Sequence, residues 1–93
     1  MTIAALAIRL HAPWAHSLKE KRMELRSLLA RVRGKFNVSA AEIGQQDTYQ
    51  ILAVGFAAVA ADRAQADSIL DHVIAFVEAN TEAELLSVER EIR

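Results

Sequence analysis

Apolar residues along this chain change their spacing several times, and each change predicts a new element of secondary structure. Residues 3–11 are a short apolar run whose alternation is typical of a strand. A helix is predicted to begin after Ser17, because Glu20 stands three residues later and completes a capping box. Gly34 predicts the end of this helix. Its apolar stripe consists of Leu18, Leu25, Leu28, Leu29, Val32 and Phe36.

The second half of the chain repeats the change of period. Residues 36–43 and 49–61 have the composition of two strands joined by a hairpin. A second helix is predicted from Asp62, which has Gln65 at the capping-box position, and Asn80 can close it. The last strand is predicted over residues 85–92, with one side formed by Leu86, Val88 and Ile92.

The element order βαββαβ predicts the fold. Right-handed crossovers turn this order into a four-stranded antiparallel sheet of strand order 4-1-3-2, with both helices on one face. This is the ferredoxin-like α+β arrangement. A chain of 93 residues has the size of a single domain, which we expect to span residues 1–93.

Positive charge is concentrated on the first predicted helix. Residues 17–36 hold seven of the eleven lysines and arginines but two of the twelve acidic residues, although the whole chain has a formal net charge of −1. At about 100° per residue, one flank of the helix carries four cations and no acid. These are Lys19, Arg22, Arg26 and Arg33, with Lys21 able to assist from the start of the helix.

The second predicted helix carries acidic residues on the corresponding flank, namely Asp67, Asp71 and Glu78. With right-handed crossovers both rows face outward, so they do not pair with each other. The domain is therefore expected to have a basic side beside the second strand and an acidic side beside the fourth. The basic side is either a solvated surface or a field that attracts polyanions or an acidic partner.

The sheet face opposite the helices is predicted to be apolar, because residues 51–60 are apolar on both alternations. A homodimer or a higher oligomer would cover this face, although a face of small alanines could also stay bare. The predicted interface residues are Ile3, Ala5, Ala7, Ile51, Ala53 and Ala57.

The same stretch invites comparison with the RNA-recognition motif, because Gly55 and Phe56 fit part of its third-strand signature. The leading basic position and the later aromatic positions of that signature are apolar here. We therefore expect Phe56 in the core or in an interface, and any RNA on the helix flank.

Catalytic chemistry is not expected. The chain has no cysteine, no glycine-rich phosphate loop and no nucleophile–base spacing, and His11 and His16 lack a placed carboxylate for a metal site. We expect no enzyme, metal, cofactor or small-molecule substrate. Asp47 and Tyr49 lie beside the hairpin, where an Asp usually serves the turn.

The N-terminal apolar run is too short for a membrane span. Arg9 and His11 interrupt it, and the pattern of a signal peptide is missing, so we expect a soluble cytoplasmic protein without a membrane partner.

Several segments resemble the YlxP-like family of small bacterial proteins, a family of unknown function. They are HSLKEKR at 16–22, FNVSAAEI at 36–43, QD at 46–47, DRA at 62–64 and VEREI at 88–92. The resemblance implies a ferredoxin-like domain and offers no catalytic residue. Members are often encoded beside translation-initiation and ribosome-maturation factors, which implies a role near RNA or the ribosome.

Two functional hypotheses follow. The first is a non-enzymatic module that binds structured RNA or the ribosome through phosphate contacts of the basic flank. The alternative is a homo-oligomeric protein-interaction module that uses the apolar sheet face and the basic and acidic sides.

Overall fold

The computed structural model describes residues 1–45 and 48–93, and its elements follow the predicted order. They are β1 (Thr2–His11), α1 (Leu18–Lys35), β2 (Ser39–Gly44), β3 (Ile51–Ala60), α2 (Arg63–Ala79) and β4 (Glu84–Ile92). The four strands form one antiparallel sheet in the order β2-β3-β1-β4. This is the predicted order 4-1-3-2, so the ferredoxin-like α+β fold is confirmed.

Strand alternation divides the sheet into a helix-covered face and an open face. In β1 the buried residues are Ala4, Leu6, Ile8 and Leu10, and they join the helix stripes in one core cluster. The register pairs Leu6 with Phe56 and Ile8 with Val54, so β3 contributes its own buried positions to the same face. The odd-numbered residues of β1 and β3 consequently lie on the open face.

Both helices begin at the predicted caps. The Ser17 hydroxyl accepts a hydrogen bond from the amide of Glu20 at 3.1 Å, and the Glu20 carboxylate accepts one from the amide of His16 at 2.8 Å. Asp62 and Gln65 repeat this arrangement at the start of α2. Each start thus satisfies two backbone amides that have no partner within the helix.

Three details of the predicted elements are wrong. Gly34 does not end α1, which continues through Lys35, because the glycine keeps a negative φ and ordinary helical geometry. β2 starts at Ser39 rather than at residue 36, since Phe36 caps the helix and packs edge-on against Phe76. Leu86 does not pack against the core with Val88 and Ile92: it is the residue of the bulge opposite Arg9 and Leu10, has no register partner in β1 and is exposed.

Two further expectations meet the structure only in part. The candidate Asp47 lies outside the described residues, whereas Tyr49 is exposed. Within residues 1–45 and 48–93, neither helix combines the length and the apolar character needed to cross a membrane.

Candidate nucleic-acid interface on the first helix

The rotation of α1 about its own axis determines which side chains reach solvent. Leu25, Leu28, Leu29 and Val32 are buried against the sheet, as the apolar stripe predicts. The flank that follows this stripe carries four exposed cations, which we call the basic row: Lys19, Arg22, Arg26 and Arg33. Since α1 rises about 1.5 Å per residue, the row extends over about 21 Å.

Contacts at the two flanks of α1 show which way the basic row faces. The Arg33 guanidinium donates to the carbonyl oxygen of Ala40 in β2, the outermost strand on this side. On the opposite flank, the Glu24 carboxylate accepts a hydrogen bond from the Thr81 hydroxyl at 3.1 Å, just after α2. The basic row therefore faces the β2 edge and points away from α2, as the handedness of the crossovers predicts.

None of the four cations of the basic row has a carboxylate within 4.0 Å among the residues that the structure describes. The C-terminal arginines differ, because Arg90 pairs with Asp67 and Asp71, and Arg93 pairs with Glu91. The two acids of α1 are turned away, Glu20 toward the helix start and Glu24 toward α2. The row thus adds its positive charges without local neutralisation.

Lys21 does not belong to this exposed surface, and its predicted role as an assisting cation is wrong. Its side chain is 1% exposed, and its ammonium group donates to the carbonyl oxygens of Gln45 and Thr48, the latter at 2.8 Å. The Glu42 carboxylate lies 3.3 Å from the same nitrogen. With three oxygens around it, Lys21 joins α1 to the β2–β3 connection and leaves no donor facing a ligand.

The position of Lys21 in the sequence indicates that its side chain is buried. It stands four residues before Leu25 and seven before Leu28, which is a position on the apolar stripe and not on the charged flank. A lysine at such a position buries its stem and needs oxygen partners for its ammonium group.

The acidic row of α2 faces the opposite side of the domain, toward β4, as predicted. Arg90 of β4 lies against it, with distances of 2.5 Å to Asp71 and 3.2 Å to Asp67. The hydrogen bond that Arg90 donates to the Asp71 carboxylate, more than any other contact, raises the pKa of Arg90 above its usual value. The acidic side is therefore partly neutralised, and the charge asymmetry of the domain comes mainly from the basic row.

Comparison with known proteins places these features in a family. The model of DUF503, described as "Protein of unknown function (DUF503)", matches residues 3–90. The chain belongs to this family. It is 50% identical over 70 residues to "Uncharacterized protein YlxP" of Bacillus subtilis (strain 168), an alignment that covers 75% of this chain and 76% of the relative. The resemblance to the YlxP-like family is confirmed.

A solved structure shares the fold of this DUF503 chain. "De novo designed protein Foldit4" superposes with a TM-score of 0.51 at 12% sequence identity, over 99% of this chain and 94% of the designed one. Identity this low speaks for the fold alone.

The open sheet face is the second surface of interest. The register of β1 against β3 pairs Ile3 with Val59, Ala5 with Ala57, and His11 with Ile51. All six predicted interface residues therefore lie on this face, although Ala53 is already buried at 5% exposure and offers little area. The predicted interface set left out Ile43 and Val59, which are exposed at 55% and 67%. Alternation along β3 could have found Val59, because it stands two residues after Ala57.

Phe56 occupies the other side of β3. Its ring is 3% exposed and joins the core beneath the helices, so it does not stack on anything that binds the open face. The prediction that Phe56 lies in the core or in an interface is confirmed, because the ring lies in the core.

Proposed function

We propose that this DUF503 protein is a non-enzymatic binding module for structured RNA, with ribosomal RNA as the first candidate, and that the basic row of α1 contacts its phosphates. Three of the four cations are arginines, whose planar guanidinium groups can donate bidentate hydrogen bonds to phosphate oxygens. Contacts of this kind position a protein on the nucleic acid backbone without reading its sequence.

The observation that supports the proposal most directly is the contrast between paired and unpaired cations. Arg90 and Arg93 each contact a carboxylate, whereas the basic row has no such partner among residues 1–45 and 48–93. An exposed row without neutralising acids offers its full charge to a polyanion. The formal net charge of −1 does not oppose this, because the acids lie elsewhere in the chain.

The length of the basic row also fits a nucleic acid backbone. Four cations over about 21 Å give an average spacing of about 7 Å, roughly two nucleotide steps of a strand whose charges are about 3.4 Å apart. A single rigid helix therefore presents several contacts in one geometry, at a lower entropic cost than a flexible basic tail.

The first experiment measures binding of the purified protein to ribosomal subunits and to a structured RNA over a range of salt concentrations. The test variant replaces three members of the basic row by glutamine: Arg22→Gln, Arg26→Gln and Arg33→Gln. The matched control removes the same charge from other exposed positions: Arg63→Gln, Arg90→Gln and Arg93→Gln. Circular dichroism verifies that both variants remain folded.

Wild type is expected to lose affinity steeply with salt, with a slope of log K against log salt of about −3 to −4 for four phosphate contacts. The test variant should flatten this slope by about 3, because each lost phosphate contact removes about one unit. The control variant should keep the wild-type slope.

Absence of wild-type RNA binding at low salt would overturn the proposal and direct attention to an acidic protein partner of the basic row. Equal losses in the test and control variants would also contradict it, because net charge rather than the row would then govern binding.

A further inference from the structure

The open sheet face carries two large apolar side chains that are exposed to solvent, Ile43 and Val59. Its centre is a groove of about 590 Å³ whose floor is made by the small residues Ala5, Ala7, Gly55 and Ala57. Ile43 forms one wall of this groove, and the glutamates of β4 form the other. No described segment of the chain crosses the groove, so it is open to a partner.

We propose that a second copy of this chain covers the open face, forming a twofold-symmetric dimer in which the sheets pack face to face and the helices lie outside. A twofold axis brings the same patch of both copies together, so the patch must be complementary to itself. A groove with a ridge beside it satisfies this requirement, since the ridge of each copy enters the groove of the other. Here the apolar ridge is Ile43.

Gly55 has no side chain, and this allows the ridge at Ile43 to lie directly beside the groove. A Cβ atom at position 55 would lie 2.7 Å from Cγ2 of Ile43, so only glycine lets this isoleucine lean across the sheet. The bulge between Glu42 and Gly44 brings Ile43 to that place.

The size of the face fits a stable dimer. Four strands about 4.8 Å apart and up to ten residues long, with about 3.3 Å per residue, give a face of roughly 600 Å² in projection. The accessible area of such a face exceeds its projection, which brings it close to the roughly 800 Å² per partner of a standard interface. Packed sheets of this kind lie about 10 Å apart, a distance that side chains of alanine, valine and isoleucine can fill.

The charges at the rim are also complementary to themselves. Arg9 is exposed on the open face and has no carboxylate within 4.0 Å among the described residues. Glu89 is exposed on the same face, because β4 pairs it with Ala7. A twofold axis that lies in the interface and runs across the strands places Arg9 of one copy over the half of the sheet, formed by β1 and β4, where the other copy carries its glutamates. The face thus holds both signs, as an isologous interface needs.

The test is the mass of the protein in solution. Sedimentation or light scattering at about 100 µM should give twice the chain mass of 10.3 kDa for wild type. Ala57→Glu places a charge in the groove and should halve this mass, because two carboxylates would meet in a desolvated site. Ala75→Glu is the matched control, since Ala75 is an exposed alanine of α2 far from the sheet face, and it should keep the wild-type mass.

A second measurement does not depend on those variants. The chain has no cysteine, so Ala57→Cys introduces a single thiol that a short bifunctional reagent should join between two copies, whereas Ala75→Cys should not be joined. A wild-type mass of one chain at this concentration would overturn the proposal. So would equal masses for the two glutamate variants, or equal crosslinking at positions 57 and 75. These readouts do not involve RNA, so they are independent of the proposed function.

Discussion

At the scale of single residues, Lys19 and Lys21 show how neighbours in one basic run acquire opposite roles. Lys19 is exposed in the basic row, whereas Lys21 is buried among two carbonyl oxygens and the Glu42 carboxylate. In a helix the two positions lie about 160° apart, so they cannot share a surface. The buried ammonium group holds the β2–β3 connection, while its exposed neighbour is free to meet a ligand.

Lys21→Met should lower the free energy of unfolding by about 2–3 kcal/mol, because it leaves Glu42 and two carbonyl groups without their donor. Methionine keeps most of the buried stem, so the loss reports the polar contacts rather than a cavity. Arg22→Met is the matched control next to it and should cost less than about 0.5 kcal/mol, as an exposed substitution usually does. Urea unfolding of both variants measures the difference, and equal stabilities would show that the buried contacts contribute nothing net.

At the scale of elements, local pattern predicted the starts and the N-capping residues of both helices, because each N-cap is a contact within four residues. The bulges in β2 and β4 could not be predicted in this way. A bulge depends on how one strand is paired with its neighbour. The alternation of apolar and polar residues along a single strand does not show which residues of the neighbouring strand lie opposite. The lean of Ile43 toward Gly55 and the bulged position of Leu86 could not be predicted from the sequence for this reason.

The contact between Ile43 and Gly55 can be tested as an energetic pair. Gly55→Ala should cost about 1–2 kcal/mol, because the new methyl group meets a branched side chain whose χ1 has little freedom. Ile43→Ala removes the clashing methyl group, so adding it to Gly55→Ala should cancel most of that cost. Thermal unfolding of the two single variants and the double variant gives the coupling energy. Strictly additive costs would mean that Gly55 is required for another reason.

At the scale of the whole molecule, the handedness of two crossovers decides where each surface lies. The fold class, the strand order and the outward orientation of the basic and acidic rows follow from element order and that handedness alone. The pairing of Arg90 with Asp67 and Asp71 could not be predicted, because these residues come from elements that meet only in the folded sheet. Contacts between distant parts of the chain could not be predicted from the sequence. They matter more for the candidate sites than for the fold, so the sites were predicted less completely.

Because the basic row and the open face lie on different sides of the sheet, their proposed roles should separate in one variant. Ala57→Glu is expected to make the protein monomeric. Its affinity for a short RNA hairpin, and the salt slope of that affinity, should stay within about twofold of wild type, because the sheet lies between the new carboxylate on the open face and the row on α1, and solvent screens what remains of their interaction. Fluorescence anisotropy with a labelled hairpin measures both quantities. A folded Ala57→Glu variant that loses RNA binding would contradict the assignment of RNA to α1 and place the RNA on the open face. Unchanged binding would instead mean that each copy of a dimer carries a complete basic row on its outer, helix-covered side.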